Sequence, residues 1–329
     1  MADTTKEEEV YRRRSWNTAL IDGDIIVYRV GFAAQTTFYD VYYRPEGEDW
    51  GPVRSFNNKT DLNAFMEEQG DEKEEFYWNK RIVADDIAAA LHSVKLQVQS
   101  ILKGTNAKNY KLFLTGKGNY RDKIVYYKAN RNRSDRPIHY DAIREYLIKH
   151  WNAKVVNNRE ADDALSITQW RDYTQASETY EERDGEEFRN SLLTIICSID
   201  KDLKMVPGWH YNFVTKEFVY QSKEGGLRWF YTQMLQGDVA DNIPGLHKLS
   251  GQRVSNWARM LKPLASMTTD KEMYAFVHAL FWAAFDELND GTYSDEELSN
   301  AIDKTLTETG QLLWMQKTKE DVWTSTNIK

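Results

Sequence analysis

Short apolar runs that end on aspartate limit what this chain can fold into. Ala19-Leu20-Ile21 runs into Asp22-Gly23-Asp24, and the apolar stretch from Leu192 to Ile199 runs into Asp200-Lys201-Asp202. Runs this short read as buried strands, and in an open parallel α/β sheet the carboxyl ends of the strands share one crevice. Acid-tipped strands therefore converge on one pocket. A further cluster, Arg159-Glu160-Ala161-Asp162-Asp163, follows the apolar run from Ala153 to Val156 and opens a helix through Trp170. There Glu160 and Asp163 share a helix face with Asp162 beside them, close to the positive helix end. Acids are ordinary in a first helical turn, so this cluster alone decides little. Its recurrence does, because Gly237-Asp238-Val239-Ala240-Asp241-Asn242 adds another acidic group. A pocket with so many carboxylates calls for a hard cation such as Mg²⁺ or Mn²⁺, and no His/Cys cluster offers a zinc site.

The rest of the pattern predicts an α/β fold with a mainly parallel central sheet flanked by helices. Strands are expected at 17–21, 110–115, 153–156 and 192–199, with a hairpin over 211–220. Helices are expected at 24–34, 83–103 and 138–150, the second capped by Asp85 and carrying the stripe Ile87, Leu91, Val94, Val98 and Leu102. After about residue 222 the pattern is helical only, at 227–236, 250–261, 273–285 and 296–316. The expected division is thus an α/β catalytic domain over 1–222 and a helical region over 223–329. Acidic, turn-rich stretches near 36–80 and 172–190 read as insertions of solvated charge, with no site assigned to them.

The net charge of −8 averages over unlike patches. Lys117, Arg121, Lys123, Lys128, Arg131, Arg133 and Arg136 stand within one segment against only Asp122 and Asp135. Inside it, Tyr126-Tyr127-Lys128-Ala129-Asn130-Arg131 alternates aromatics with cations, as a surface does that stacks on bases and grips phosphates; an exposed helix with snorkelling basic side chains is the plainer reading. A basic segment beside an acidic, metal-demanding pocket suits a phosphate-polymer substrate. The lone cysteine, Cys197, lies in a strand-like apolar run and reads as a buried thiol, which points to a reducing, intracellular home. The amino terminus is charged rather than apolar, and no apolar run approaches the length of a membrane span, so neither secretion nor a membrane is expected.

Together these residues resemble the bacteriophage 5′–3′ exonucleases of the flap-endonuclease family, over motifs from Asp22 to Arg253. Asp22 matches the family's first metal-binding aspartate, Tyr127-Lys128-Ala129-Asn130-Arg131 its Tyr-Lys-x-Asn-Arg, and Glu160-Ala161-Asp162-Asp163 its Glu-Ala-Asp-Asp. Asp200 and Asp202 match its Asp-x-Asp, and Gly237 to Ile243 its Gly-Asp-x-x-Asp-Asn-Ile. The resemblance implies a PIN-like catalytic fold, a C-terminal helix-three-turn-helix that binds DNA, and two Mg²⁺ ions with Mn²⁺ as a substitute. It implies that Asp22, Glu160, Asp162 and Asp163 hold one ion and that Asp200, Asp202, Asp238 and Asp241 complete the other. Lys128 and Arg131, on a helix at the pocket mouth, are expected to meet the scissile phosphate. Arg121, Tyr127, Arg133, Lys248 and Arg253 are expected along the DNA, with Tyr127 stacking on an unpaired base. The implied partner is double-stranded DNA with 5′ ends or flaps, or an RNA–DNA hybrid; the implied protein is a monomer of the host-cell cytoplasm, serving replication and RNA-primer removal.

Two positions depart from that pattern. Gly116 stands where the family has another metal-site aspartate, so Asp24 is the expected substitute. Of the family's glycine-rich hairpin, which often holds K⁺, only Gly245 is kept, so duplex gripping is expected from Lys248 and Arg253, with K⁺ in doubt. Two other readings compete. Asp22-Gly23-Asp24 imitates the nucleophile pair of a haloacid-dehalogenase-like phosphatase, which leaves Glu160–Asp163 unexplained. A DNA-junction binder without catalysis is the other, although a pure binder gains nothing from acids that repel phosphate.

Overall fold

The computed structural model describes residues 14–44, 49–131, 136–181, 184–251, 254 and 256–328. The chain forms two compact units, one of Met1–Ile25, Gln99–Asp135 and Trp151–Lys329, the other of Ile26–Val98 and Arg136–His150.

The first unit is built on a six-stranded sheet. Its strands are β1 (Thr18–Asp22), β5 (Asn109–Thr115), β6 (Lys154–Val156), β7 (Thr194–Cys197), β8 (Gly208–Asn212) and β9 (Glu217–Gln221), in the order β6-β5-β1-β7-β8-β9. All neighbours pair in parallel except β8 and β9, which form the expected hairpin. The chain enters at β1, runs outward through β5 and β6, then returns to β7 on the other side. That reversal beside β1 is a topological switch point, the place where sites of open α/β sheets form, beyond the carboxyl ends of β1, β5 and β7. Gly23 follows β1 because a Cβ there would lie 2.5 Å from the Phe113 carbonyl oxygen and from Leu112. Helix α1 (Gly23–Ala33) can start flush against β5 only without a side chain at that position.

The helix opened by the acidic cluster, α5 (Ala161–Thr179), contacts β1, β5, β6, β7 and β8. It runs through much of the stretch expected to be an acidic insertion, and α6 (Glu186–Ser191) follows it. Phe188 of α6 is fully buried, with its ring 4.9 Å from Tyr173. The region near 172–190 is therefore a helical part of the unit, because Tyr173, Ala176 and Phe188 supply buried surface that its acidic composition conceals.

After β9 come α7 (Lys223–Gln236), a two-stranded pair β10 (Gly237–Asp238) and β11 (Ile243–Pro244), short helices α8 (Leu246–Ser250) and α9 (Trp257–Leu261), and long helices α10 (Asp270–Asp286) and α11 (Asp295–Leu313). The chain does not divide near residue 222. One apolar core includes Leu20, Phe113, Leu165 and Ile196 together with Phe230, Met273, Leu306 and Trp314. The C-terminal helices complete the core of the sheet instead of forming a body of their own.

The second unit corrects another expectation. The acidic stretch near 36–80 forms an antiparallel sheet, β3-β2-β4, from β2 (Gln35–Tyr43), β3 (Gly51–Phe56) and β4 (Phe76–Ala84). Helix α2 (Lys59–Glu68) lies between β3 and β4 in the chain and is capped by Asn58. Val41, Phe56, Leu62 and Met66 make a small core of their own. Charge hid the alternation of Tyr39, Val41 and Tyr43 along β2. The long helix α3 (Ile87–Thr105) starts later than expected: β4 takes Val83 and Ala84, and the Asp86 carboxylate, not that of Asp85, accepts from Ala88 N at 2.7 Å. Its buried stripe is Ala90, Val94, Val98 and Ile101, with Ile87 37% exposed. Helix α4 (Tyr140–Trp151) matches the expected one.

Candidate active site

The last residue of β1, Asp22, is 1% exposed; its Oδ1 accepts from Ile25 N at 3.1 Å and its Oδ2 from the Ser198 hydroxyl at 2.7 Å. Burial first, then the neighbouring Asp24 charge, push its carboxyl up to about 7 against those two hydrogen bonds, with Asp200 adding to the rise. Asp24 turns toward β5, where its Oδ2 accepts from Thr115 N at 2.9 Å. The Thr115 hydroxyl accepts from Ala161 N at 2.9 Å, which joins the end of β5 to the start of α5.

At the N-cap of α5 the expected trio of acids separates into three environments. Glu160 N donates to Asp163 Oδ2 at 3.2 Å. Asp163 is fully buried in a two-pronged pair with Arg121, Nη1–Oδ2 2.6 Å and Nη2–Oδ1 3.0 Å. Both Asp163 oxygens are thereby engaged, so the geometry gives it a structural role in place of metal ligation. Glu160 accepts from the Tyr127 hydroxyl at 3.0 Å and from the Lys128 ammonium. Burial would raise the Glu160 carboxyl, but Lys128 and Arg121 outweigh it and hold it below the usual range. Asp162 faces the other acids. Burial, then Asp22, Asp200 and Glu160, hold it well above the usual range, with Lys128 opposing.

Beyond β7, Asp200 N donates to the Ser198 hydroxyl at 3.0 Å and Asp202 N to Asp200 Oδ1 at 2.8 Å. Burial raises the Asp200 carboxyl, and Asp241 and Asp238 add to it against the Asp202 amide and Lys128. Asp202 is pushed up to about 7 by burial and then by Asp200, although Gln233 Nε2 donates to its Oδ1 at 2.5 Å. Asp238 is 2% exposed; its Oδ1 accepts from Ala240 N at 2.8 Å and Asp241 N at 3.3 Å, and its Oδ2 lies 2.8 Å from the Lys201 ammonium. Gly237, at φ +72°, admits this turn: a Cβ there would stand 2.4 Å from the Ile243 carbonyl oxygen across the β10–β11 pair.

The basic segment and this acidic loop interlock. Lys128 N donates to the Asp241 carbonyl at 2.9 Å, Asn130 Nδ2 to the Val239 carbonyl at 3.1 Å, and Asn242 Nδ2 to the Tyr126 carbonyl at 2.8 Å. Arg131 pairs with the Asp241 carboxylate, from which the Lys128 ammonium is 3.4 Å. Lys128 adopts φ +52°, a conformation unfavourable for a residue with a Cβ, and the hydrogen bond its N–H donates to the Asp241 carbonyl holds it there. The segment is not the expected helix. A short 3₁₀ turn over Tyr120–Lys123 is followed by turns closed by local bonds, Tyr127 N to the Ile124 carbonyl, Ala129 N to that of Tyr126 and Arg131 N to that of Lys128, while Lys128 N turns to the Asp241 carbonyl.

Two residues expected along DNA are buried instead. Arg121, 1% exposed, pairs with Asp163 and also donates to the Leu312 and Trp314 carbonyls, which fixes the end of α11. Tyr127 is 7% exposed, and its hydroxyl reaches Asp241 at 3.2 Å as well as Glu160, so its ring is core and not a stacking surface. Lys248 is exposed on α8. Arg133 and Arg253 lie outside the described residues, whereas Gly245–Ser250, the stretch compared with the glycine-rich hairpin, forms α8 with Gly245 at its N-cap. Gly116 has no room for a carboxylate: a Cβ there would meet Asn157 Oδ1 at 2.3 Å and the Val156 carbonyl oxygen at 2.6 Å.

Sequence reasoning missed Lys201, Ser198 and Gln233, all of which touch the acids. Lys201 was legible as the residue between two of them; Gln233 carries no signal, since only the fold brings α7 to Asp202.

The donor set is oxygen only and its members raise one another's pKa, which is the chemistry of a hard divalent cation. Among the described residues no group of three or more His, Cys, Asp and Glu side chains stands arranged to hold a metal ion. The acids are divided among tethered cations, with Lys128 on Glu160, Arg131 on Asp241 and Lys201 on Asp238. No protein-family model matches the chain, and no curated protein matches it at a significant level. No helix among the described residues is long and apolar enough to cross a membrane.

Proposed function

We propose that this chain is a divalent-metal-dependent 5′–3′ exonuclease with flap-endonuclease activity, which hydrolyses DNA phosphodiesters in a PIN-like fold with a C-terminal DNA-binding region. The observation that carries the reading is the interlock of the 126–131 turn with the 238–242 loop beside buried carboxylates that raise one another's pKa. A core of mutually repelling acids is costly to a fold and is useful to a site that takes up cations.

In this reading Asp22, Asp162, Asp200 and Glu160 would hold one Mg²⁺, and Asp200, Asp202, Asp238 and Asp241 would hold a second. When bound, the two ions supply a water activated for in-line attack and stabilisation of the leaving oxygen, with Mn²⁺ able to replace them. The chain's own groups do the rest. Asp24 fixes the end of β5 and keeps negative charge beside Asp22. Lys128 and Arg131 are held by the 238–242 loop where a scissile phosphate can exchange for their carboxylate partners and take their charge. In this reading Lys248, exposed on α8, meets a backbone phosphate of the duplex away from the reacting one.

A test compares linear duplex with a covalently closed circle of the same sequence, incubated with the protein in Mg²⁺ and in EDTA. The reading expects the linear DNA to be consumed in Mg²⁺ only, and the closed circle to persist. Equal loss of both forms would overturn dependence on an end.

A further inference from the structure

We propose that Lys201 is a tethered cation that shares the acids of the second metal position, so that the ion there binds by displacing an ammonium and Lys201 sets its affinity. This rests on the hydrolase reading above and deepens it.

Asp238 is 2% exposed, and one of its oxygens is committed to the backbone of its own loop. A carboxylate so deeply buried needs a positive partner, and the Lys201 ammonium, 2.8 Å away, provides it. The two partners differ in freedom. Asp238 is fixed, whereas the Lys201 side chain is 48% exposed and can swing its charge into water without disturbing the core. Lys201 also stands between Asp200 and Asp202 in the chain, and one ammonium cannot neutralise three carboxylates.

An independent observation lies on α7. Gln233 is 2% exposed; its Nε2 donates to Asp202, but its Oε1 is buried with no hydrogen-bond partner. A buried acceptor without a donor is costly, and this one is carried by the side chain that grips Asp202. The amide that carries it is bound to Asp202, and an amide oxygen is one of the oxygen donors that Mg²⁺ or Mn²⁺ accepts alongside carboxylates and water. The same preference explains why Lys201 is the residue to leave: it contributes charge but no ligand.

The experiment is a Mn²⁺ titration of the full chain followed by the electron paramagnetic resonance signal of free Mn²⁺, for the unaltered protein, Lys201→Met and Lys201→Gln. Two neutral variants are used so that a packing fault in one does not decide the result, and a melting curve checks each fold. The expected result is a weaker class of bound Mn²⁺ that tightens on the order of tenfold in both variants, the scale of one close charge pair, while the stronger class is unchanged. If the unaltered chain takes up only one ion, the appearance of a second in the variants supports the proposal. A weaker class that is unchanged or lost in both variants overturns the role of Lys201 and leaves the hydrolase reading standing. Absence of Mn²⁺ uptake by the unaltered chain removes both.

Discussion

Arg121 and Asp163, distant in sequence, form a two-pronged pair with Nη1–Oδ2 at 2.6 Å and Nη2–Oδ1 at 3.0 Å, both side chains at 1% exposure or less. The same guanidinium donates to the Leu312 and Trp314 carbonyls, and Gln316 N donates to Asp163 Oδ1 at 3.3 Å. One ion pair thus holds β5's exit, the start of α5 and the end of α11. Arg121→Met strands a buried carboxylate, and the expected loss is about 3–5 kcal/mol in urea unfolding. A loss below about 1 kcal/mol, the range of a surface pair, would contradict the structural role.

The acids at the site predict an inverted pH dependence of stability in the presence of a chelator. Asp22 and Asp202 are each held near 7, above their ordinary 3.8. Between those values the folded chain keeps protons that the unfolded chain releases, so stability falls as pH rises from about 4 to 7 and then levels. Glu160, held below its ordinary value, acts oppositely and withdraws stability only as the medium becomes more acidic than that. Stability should therefore peak near pH 4, and Asp22→Asn should flatten the decline and stabilise the fold at pH 8 by on the order of a few kcal/mol. Urea midpoints at pH 5 and pH 8 check this; a higher midpoint at pH 8 in the unaltered chain would refute it.

Gly116 cannot regain a carboxylate. With the Val156 carbonyl 2.6 Å from its would-be Cβ, Gly116→Asp forces β5 and β6 apart, at a cost of about 1–3 kcal/mol. Gly116→Asp should therefore fail to restore any activity lost in Asp24→Asn. Recovery of cleavage by the double variant would show that residue 116 points into the pocket after all.

Lys128→Ala and Arg131→Ala should slow single-turnover cleavage by a few kcal/mol each, roughly the worth of one transition-state donor, and weaken duplex binding less. Their carboxylate partners, Glu160 and Asp241, belong to the acidic site. Weakened binding with unchanged single-turnover rates would make the segment an ordinary basic face.

The sheet was legible because Ala19–Ile21, Tyr110–Thr115 and Leu192–Ile199 are apolar runs whose burial needs no distant information. Most of the site was legible for a related reason: acids at strand ends have only one edge to share. What escaped was pairwise. Nothing local distinguishes Arg121, buried against Asp163, from Arg131, which is half exposed, since both lie in one basic segment and only the arrival of the α11 terminus separates them. The 36–80 stretch was misread because its acids lie mostly on α2 and the following turn, while the alternation that makes β2 a strand is carried by tyrosines that count as polar or apolar by context.

The central claim is tested most directly by the order in which label leaves a duplex. Duplexes carrying label at the 5′ or the 3′ end, with and without a single-stranded 5′ flap, are incubated with the protein and Mg²⁺, alongside Asp162→Asn and Asp200→Asn. The account predicts early release of 5′ label as short products, late release of 3′ label, and no release by either variant despite a fold at least as stable as the original. Release of 3′ label first, or undiminished release by Asp162→Asn and Asp200→Asn, would contradict it.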